Sequence, residues 1–236
     1  MKQIVLTILA LMLAMTNSMA QWSEAETEAL KDLNEGAAAI KAKDFEKAKP
    51  LIEDAIAKTE AGTRLNKMAH SWMGQWYSIQ SLNLRVAFSD MEQALKLSLE
   101  AERCFDLANS LGSRLMQQSS RADILKLLGR GDEAEVLLRQ VIDECGTATA
   151  LSLIRGKALY QLGALEVEKE LFEQAILHLG EAYGLCLAGA ANNPNTKTYG
   201  YLAADKLNQL YTSQIPDNEK AALWKQRADE LAPYYE

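Results

Sequence analysis

Residues 171–186, LFEQAILHLGEAYGLC, carry apolar side chains at three- and four-residue intervals, the pattern of an amphipathic helix. The opening Phe-Glu-Gln-Ala at 172–175 echoes Phe-Glu-Lys-Ala at 45–48, and the echo proves to be a repeat. A tripeptide of similar chemistry returns as Glu46-Lys47-Ala48, Glu92-Gln93-Ala94, Asp132-Glu133-Ala134, Glu173-Gln174-Ala175 and Glu219-Lys220-Ala221. Seven residues beyond each alanine stands another short apolar residue: Ala55, Ala101, Val141, Ala182 and Ala228. Seven residues are two helical turns, so each pair shares one face of a helix and offers it little bulk. Something packs closely there.

The expected neighbour lies upstream. Gly36, Ala122 and Gly163 each stand twelve residues before their unit's alanine. A turn separates each pair: AKDF at 42–45, GRGD at 129–132 and EKELF at 168–172. Gly129 suits a helix end that needs a left-handed residue, while Asp132 with Glu135, and Ser89 with Glu92, have the form of capping boxes. Each unit therefore predicts two helices that touch at small residues and bury their apolar stripes only by stacking. The fold class expected is all-α, a solenoid of stacked antiparallel helical hairpins. Gly74 precedes Ala94 by twenty residues rather than twelve, which leaves the second unit's register open by about two turns. Pro50 falls about five residues into a predicted helix, where the missing N–H should kink the first hairpin.

These residues resemble the tetratricopeptide repeat family. Met73-Gly74 and Tyr77 match its pattern in the second unit, Leu162-Gly163, Phe172, Ala175, Leu179 and Ala182 in the fourth, and Ala221, Ala228 and Pro233 in the last. Gly36, Phe45, Ala48 and Ala55 match it in the first, so the resemblance runs over roughly residues 25–235 in about five repeats. The copies are 40 to 46 residues apart against about 34 in the family, which implies longer helices or longer connections. The resemblance implies that the first helix of each unit lines a concave surface.

Residues 1–20, MKQIVLTILALMLAMTNSMA, have the order of a cleavable secretory signal. Lys2 precedes an apolar run from Ile4 to Met15, and small residues at Ser18 and Ala20 set a cut before Gln21. The run is too short for a bilayer-crossing helix, which needs about 20 residues. The expectation is an exported chain, periplasmic or secreted, in which 21–236 forms one repeat domain without a membrane span. That segment holds one of the 25 basic and none of the 32 acidic residues, leaving a net charge of −8. With no cluster of Lys and Arg, such a chain repels phosphate backbones, so no nucleic acid partner is expected.

Cys104, Cys145 and Cys186 stand 41 residues apart. In successive hairpins they would be about 10 Å or more from one another, beyond the roughly 7 Å Cα limit for a disulfide, and they are expected to be buried core residues. His70 and His178 lack the spacing of a zinc site and are expected at the surface or in packing. Glu166 to Glu170, EVEKE, reads as a solvated helix end. Trp72 and Trp76 share one helical face and are expected to fill interior space. No phosphate loop, nucleophile elbow or metal-ligand set is present in the sequence, so neither a cofactor nor a metal is expected.

Function is expected on the face three before, one after and four after each small contact residue. That places Leu33, Ala37 and Ile40 at an apolar end, then Ser71, Gln75 and Ser78, then Ser119, Asp123 and Lys126, then Tyr160, Ala164 and Val167, and finally Lys206, Leu210 and Ser213. The partner-binding residues expected are Ser71, Gln75, Ser78, Asp123, Lys126, Tyr160 and Lys206. The groove lacks the ladder of Lys and Asn with which some relatives hold a C-terminal carboxylate. The leading expectation is a non-enzymatic adaptor for a protein or peptide. A second is a structural homo-oligomer docking through Leu30, Leu33 and Ile40, and a third is an enzyme with its site near Asp123 and Tyr160.

Overall fold

The computed structural model describes residues 22–189 and 196–232. The signal-like segment 1–20, the cut before Gln21 and Pro233 lie outside the described residues. Within them the chain is all-α: ten helices and one short 3-10 turn, with no strand. In chain order the helices are α1 (Glu24–Lys41), α2 (Phe45–Ala57), α3 (Arg64–Val86), α4 (Met91–Leu107), α5 (Leu111–Leu127), α6 (Gly131–Cys145), α7 (Ser152–Glu168), α8 (Phe172–Gly189), α9 (Thr196–Ser213) and α10 (Asn218–Leu231). No helix among the described residues is long and apolar enough to cross a membrane. The chain divides into two compact units, Met1–Met73 and Gly74–Glu236.

In the first unit, Ser23 and Glu26 close a reciprocal capping box at the start of α1. Asp44 caps α2 by accepting from the Lys47 N–H at 3.2 Å. The two helices pack so tightly that a Cβ on Gly36 would lie 2.7 Å from Ile52 Cγ1, and 3.3 Å from the Ala48 carbonyl. The twelve-residue pairing of Gly36 with Ala48 is thus present. Pro50 is exposed on α2, which continues past it to Ala57. Leu33, Ala37 and Ile40 are buried rather than lining a groove, and of the docking patch expected at Leu30, Leu33 and Ile40, Leu30 alone is partly exposed. They belong to the one apolar stripe of α1, running from Ala29 through Gly36 to Ile40, and that stripe is the packing face.

The second unit repeats with a period of 41 residues. Ser81, Ala122, Gly163 and Ala204 occupy equivalent places on α3, α5, α7 and α9, and all four are buried. The Ser81 hydroxyl donates to the Ala94 carbonyl at 2.7 Å, so Ser81, not Gly74, is the contact residue of its hairpin. Gly74 lies two turns earlier, where a Cβ would be 2.7 Å from the Phe105 ring. This settles the second unit's open register. The hairpin turns are equally regular: Phe88, Gly129 and Glu170 adopt φ of 48, 74 and 59°, each two residues past the end of its helix. The capping expectations need correction. Asp90 rather than Ser89 caps α4, through the Gln93 N–H at 2.8 Å. At α6 the N-cap is Arg130, and the Asp132 carboxylate instead accepts from Lys169 Nζ at 2.5 Å.

The paired small residues do what their spacing requires. Ala94 and Ala101, Ala134 and Val141, Ala175 and Ala182 are all buried. Ala94, Ala134 and Val141 cluster with Leu115, Leu137, Leu138 and Leu162, and Ala175 and Ala182 with Leu159, Leu179, Leu207 and Tyr211. Consecutive helices from α4 to α10 pack as neighbours, and α7 also touches α5 and α9. The three cysteines are buried free thiols, as expected.

Candidate functional site

The 41-residue period brings α3, α5, α7 and α9 of the second unit into one layer, and a polar seam runs across it. Arg85 Nη1 donates to Asp123 Oδ2 at 2.5 Å, joining α3 to α5. Gln161 Nε2 donates to Asp123 Oδ1 at 2.5 Å and to the Ser119 carbonyl at 2.9 Å, joining α5 to α7. The Ser119 hydroxyl donates back to Gln161 Oε1, which buries it beneath the amide instead of leaving it on the groove. One turn before Gln161, Lys157 is only 7% exposed. Its ammonium donates to Ser120 Oγ at 2.9 Å and lies 3.9 Å from Met116 Sδ.

Burial pushes the Lys157 amine down to about 8; Asp123 nearby opposes that shift, and Arg85 adds to it. Burial likewise pushes the Tyr199 phenol on α9 up to about 12, with the Asp123 charge contributing. The Tyr199 ring lies 6.2 Å from that of Tyr160.

Two cavities open on either side of the Arg85–Asp123–Gln161 bridge. One, of about 220 Å³, is walled by Ser78, Ile79, Ser81, Leu82 and Arg85 of α3 and by Gln117, Ser120 and Ile124 of α5. The other, of about 130 Å³, has Asp123, Lys126, Tyr160 and Gln161 around a floor that includes Ala122, Ala134 and Ala164. Four of the expected residues, Ser78, Asp123, Lys126 and Tyr160, therefore line cavities of this layer. Lys126 also donates to Glu168 at 2.5 Å on α7. Ser71 is half-buried in the first unit, and Gln75 is exposed on α3. Lys206 is half-buried on α9, two residues beyond Ala204, while its neighbour in the expectation, Leu210, is buried in the core. The contact residue of that unit is Ala204, 41 residues after Gly163, rather than a position twelve before Ala221.

The expectations omitted Arg85, Gln161 and Lys157. Arg85 was recoverable, since it stands four residues after Ser81 as Lys126 stands four after Ala122. Lys157 carried no signal of its own.

On the other side of α7, Glu166 is fully buried, which corrects its reading as part of a solvated helix end. It accepts from Arg139 Nη2 at 3.1 Å on α6 and meets His178 Nδ1 at 2.6 Å on α8. Between α4 and α5, buried Glu102 is gripped by Arg121 through two bonds of 2.6 and 3.0 Å. His70 is half-buried in the first unit, and burial lowers its pKa. Trp72 and Trp76 are both half-buried, with Lys41 Nζ 5.8 Å from the Trp72 ring centroid. Among the described residues no three of His, Cys, Asp and Glu converge as metal ligands.

No protein-family model matches the chain, and comparison with the curated proteins finds no match. Comparison with solved structures does find a similar fold. The crystal structure of BtubC (BKLC) from P. vanneervenii superposes with a TM-score of 0.57 over 90% of this chain and 92% of that one, at 16% sequence identity. At that identity the likeness is one of fold, an all-helical chain whose sequential helices pack as neighbours.

Proposed function

We propose that this chain is a tetratricopeptide-like, non-enzymatic adaptor, exported by the segment at its N-terminus, which holds a peptide or protein partner on the α3–α5–α7 layer. The observation that carries the reading is the layer itself: two side-chain-sized cavities separated by a bridge of partly buried hydrogen bonds. Such an arrangement is preorganised, because Asp123 and Gln161 are already held by their neighbours and lose little freedom when a ligand arrives. Its partner would place side chains in the cavities and hydrogen-bond along the seam, crossing several hairpins. The order of charge, apolar run and small residues in 1–20 supports export, and the acidic balance of the remainder supports a partner other than nucleic acid.

The test is selection of displayed peptides against the chain from Gln21 onward, followed by calorimetry with the winners. Ala164→Arg, which fills the smaller cavity, should weaken binding at least tenfold, with circular dichroism and melting unchanged. Val136→Arg, at an exposed position on α6, should bind as the wild type does. Equal binding by both variants would place the site elsewhere and end the proposal.

A further inference from the structure

Among the described residues of the second unit three charged side chains are buried: Glu102, Lys157 and Glu166. Both glutamates have cationic partners within 3.1 Å. Lys157 has no carboxylate at hydrogen-bond distance: among the described residues its ammonium donates to the Ser120 hydroxyl, the thioether of Met116 is a weak acceptor at 3.9 Å, and the Asp123 charge acts from further off. Ser120 has nothing further to give, since its own proton goes to the Met116 carbonyl at 3.1 Å. An ammonium has three protons, so Lys157 is short of acceptors, and a buried cation in that state calls for an anion.

Ser120 is also a wall of the 220 Å³ cavity, and Arg85 stands in the opposite wall with Nη1 on Asp123 and its remaining N–H groups without an acceptor among the described residues. The cluster of Arg85, Lys157 and Asp123 sums to one positive charge, which one monovalent anion neutralises. Of the three, Arg85 lines the cavity itself, and beside it stand Ile79, Leu82 and Ile124, which suit methylenes rather than a second charge.

We propose that this cavity is a subsite for a carboxylate carried on a short aliphatic stem, whose oxygens meet Arg85 in the wall facing Ser120, the residue that Lys157 holds from behind, and whose stem packs on Ile79, Leu82 and Ile124. It rests on the reading of this layer as a binding face, and it names what one cavity of that face selects. The carboxylate comes either from a glutamate within a bound segment or from a free short-chain acid; the chemistry is shared.

The experiment is a titration of the labelled chain, from Gln21 on, with butyrate and, separately, with neutral butyramide, following the Lys157 side-chain methylene and Arg85 guanidinium resonances by NMR. Saturable shifts with butyrate, absent with butyramide and lost in both Lys157→Met and the cavity-filling Leu82→Trp, are expected. Leu82 is already half-exposed, so the second variant keeps the test intact if the first alters folding. Equal response to acid and amide, or undiminished butyrate binding in both variants, would overturn the subsite.

The source is then assigned with the selected peptides. A glutamate-to-glutamine change that costs tenfold in the wild type and nothing in Lys157→Met identifies a side chain. Butyrate binding without any such preference identifies a free acid. Peptides that bind the face while butyrate shifts nothing would end the subsite alone, and butyrate binding with no peptide would uphold the subsite and end the peptide reading.

Discussion

Two charges are buried on one helix, and the protein treats them oppositely. Glu166 points from α7 toward α6 and α8, where Arg139 and His178 both reach it. Lys157, nine residues earlier, is buried against α5 with a serine hydroxyl as its hydrogen-bond partner. Burying an ion without a counter-ion in contact costs several kcal/mol, and a hydroxyl returns a small part of that. The first arrangement is what packing alone would favour, for it ties three consecutive helices through one carboxylate. The second carries a cost that packing does not explain, and such a cost is characteristic of positions kept for a ligand.

The contrast is open to attack, most forcefully at Glu166. Glu166→Leu should lower stability by about 3 kcal/mol, because Arg139 and His178 lose a buried acceptor; urea denaturation of the variant measures it, and a loss under about 1 kcal/mol would put the two charges in the same class. Lys157→Met should act in the other direction and raise stability by about 2 kcal/mol at neutral pH, since an apolar side chain of similar length replaces a desolvated cation. A destabilised Lys157→Met would mean that the ammonium has a partner after all.

Raising the pH should close the gap between Lys157→Met and the wild type. With its amine at about 8 in the folded chain against 10.5 when unfolded, Lys157 binds fewer protons folded than unfolded between those values, so wild-type stability rises relative to the variant as pH climbs through that window. Between pH 7 and 10 the gap should shrink by about 2 kcal/mol, and a gap that stays constant would mean the amine titrates normally. Smallest of all is Lys126→Ala. Its bridge to Glu168 is half-exposed at both ends and should be worth less than about 0.5 kcal/mol. Anything larger would show that exposed ties between hairpins matter as much as buried ones.

The architecture was legible because repetition multiplies weak signals. Single residues such as Ala134 or Gly163 mean little, but their recurrence placed the hairpins and the buried small faces. Register was harder to read. Gly74 is the small residue that the sequence displays, whereas the contact residue Ser81 satisfies its hydroxyl on the Ala94 carbonyl and so tolerates a close approach without being glycine or alanine. Helix ends were misplaced by a residue or two at Asp90 and Arg130, where several polar residues compete to cap one helix. The two buried charges were illegible for a deeper reason. Glu166 sits among Glu168, Lys169 and Glu170 and shares their composition, and Lys157 resembles any solvent-facing lysine. What separates them from their neighbours is supplied by helices distant in sequence, Arg139 and His178 in one case and Ser120 in the other.

The cysteines of α4, α6 and α8 fall once in each of three successive hairpins, and burial pushes their thiols up to about 11, 11 and 12. Thiols so shielded are nearly inert to alkylating reagents until the surrounding hairpin opens. The protein thus carries three chemical clocks at one-repeat intervals. Pulse alkylation followed by peptide mass analysis would time each opening separately, and would distinguish a stack that comes apart from one end from one that melts as a whole.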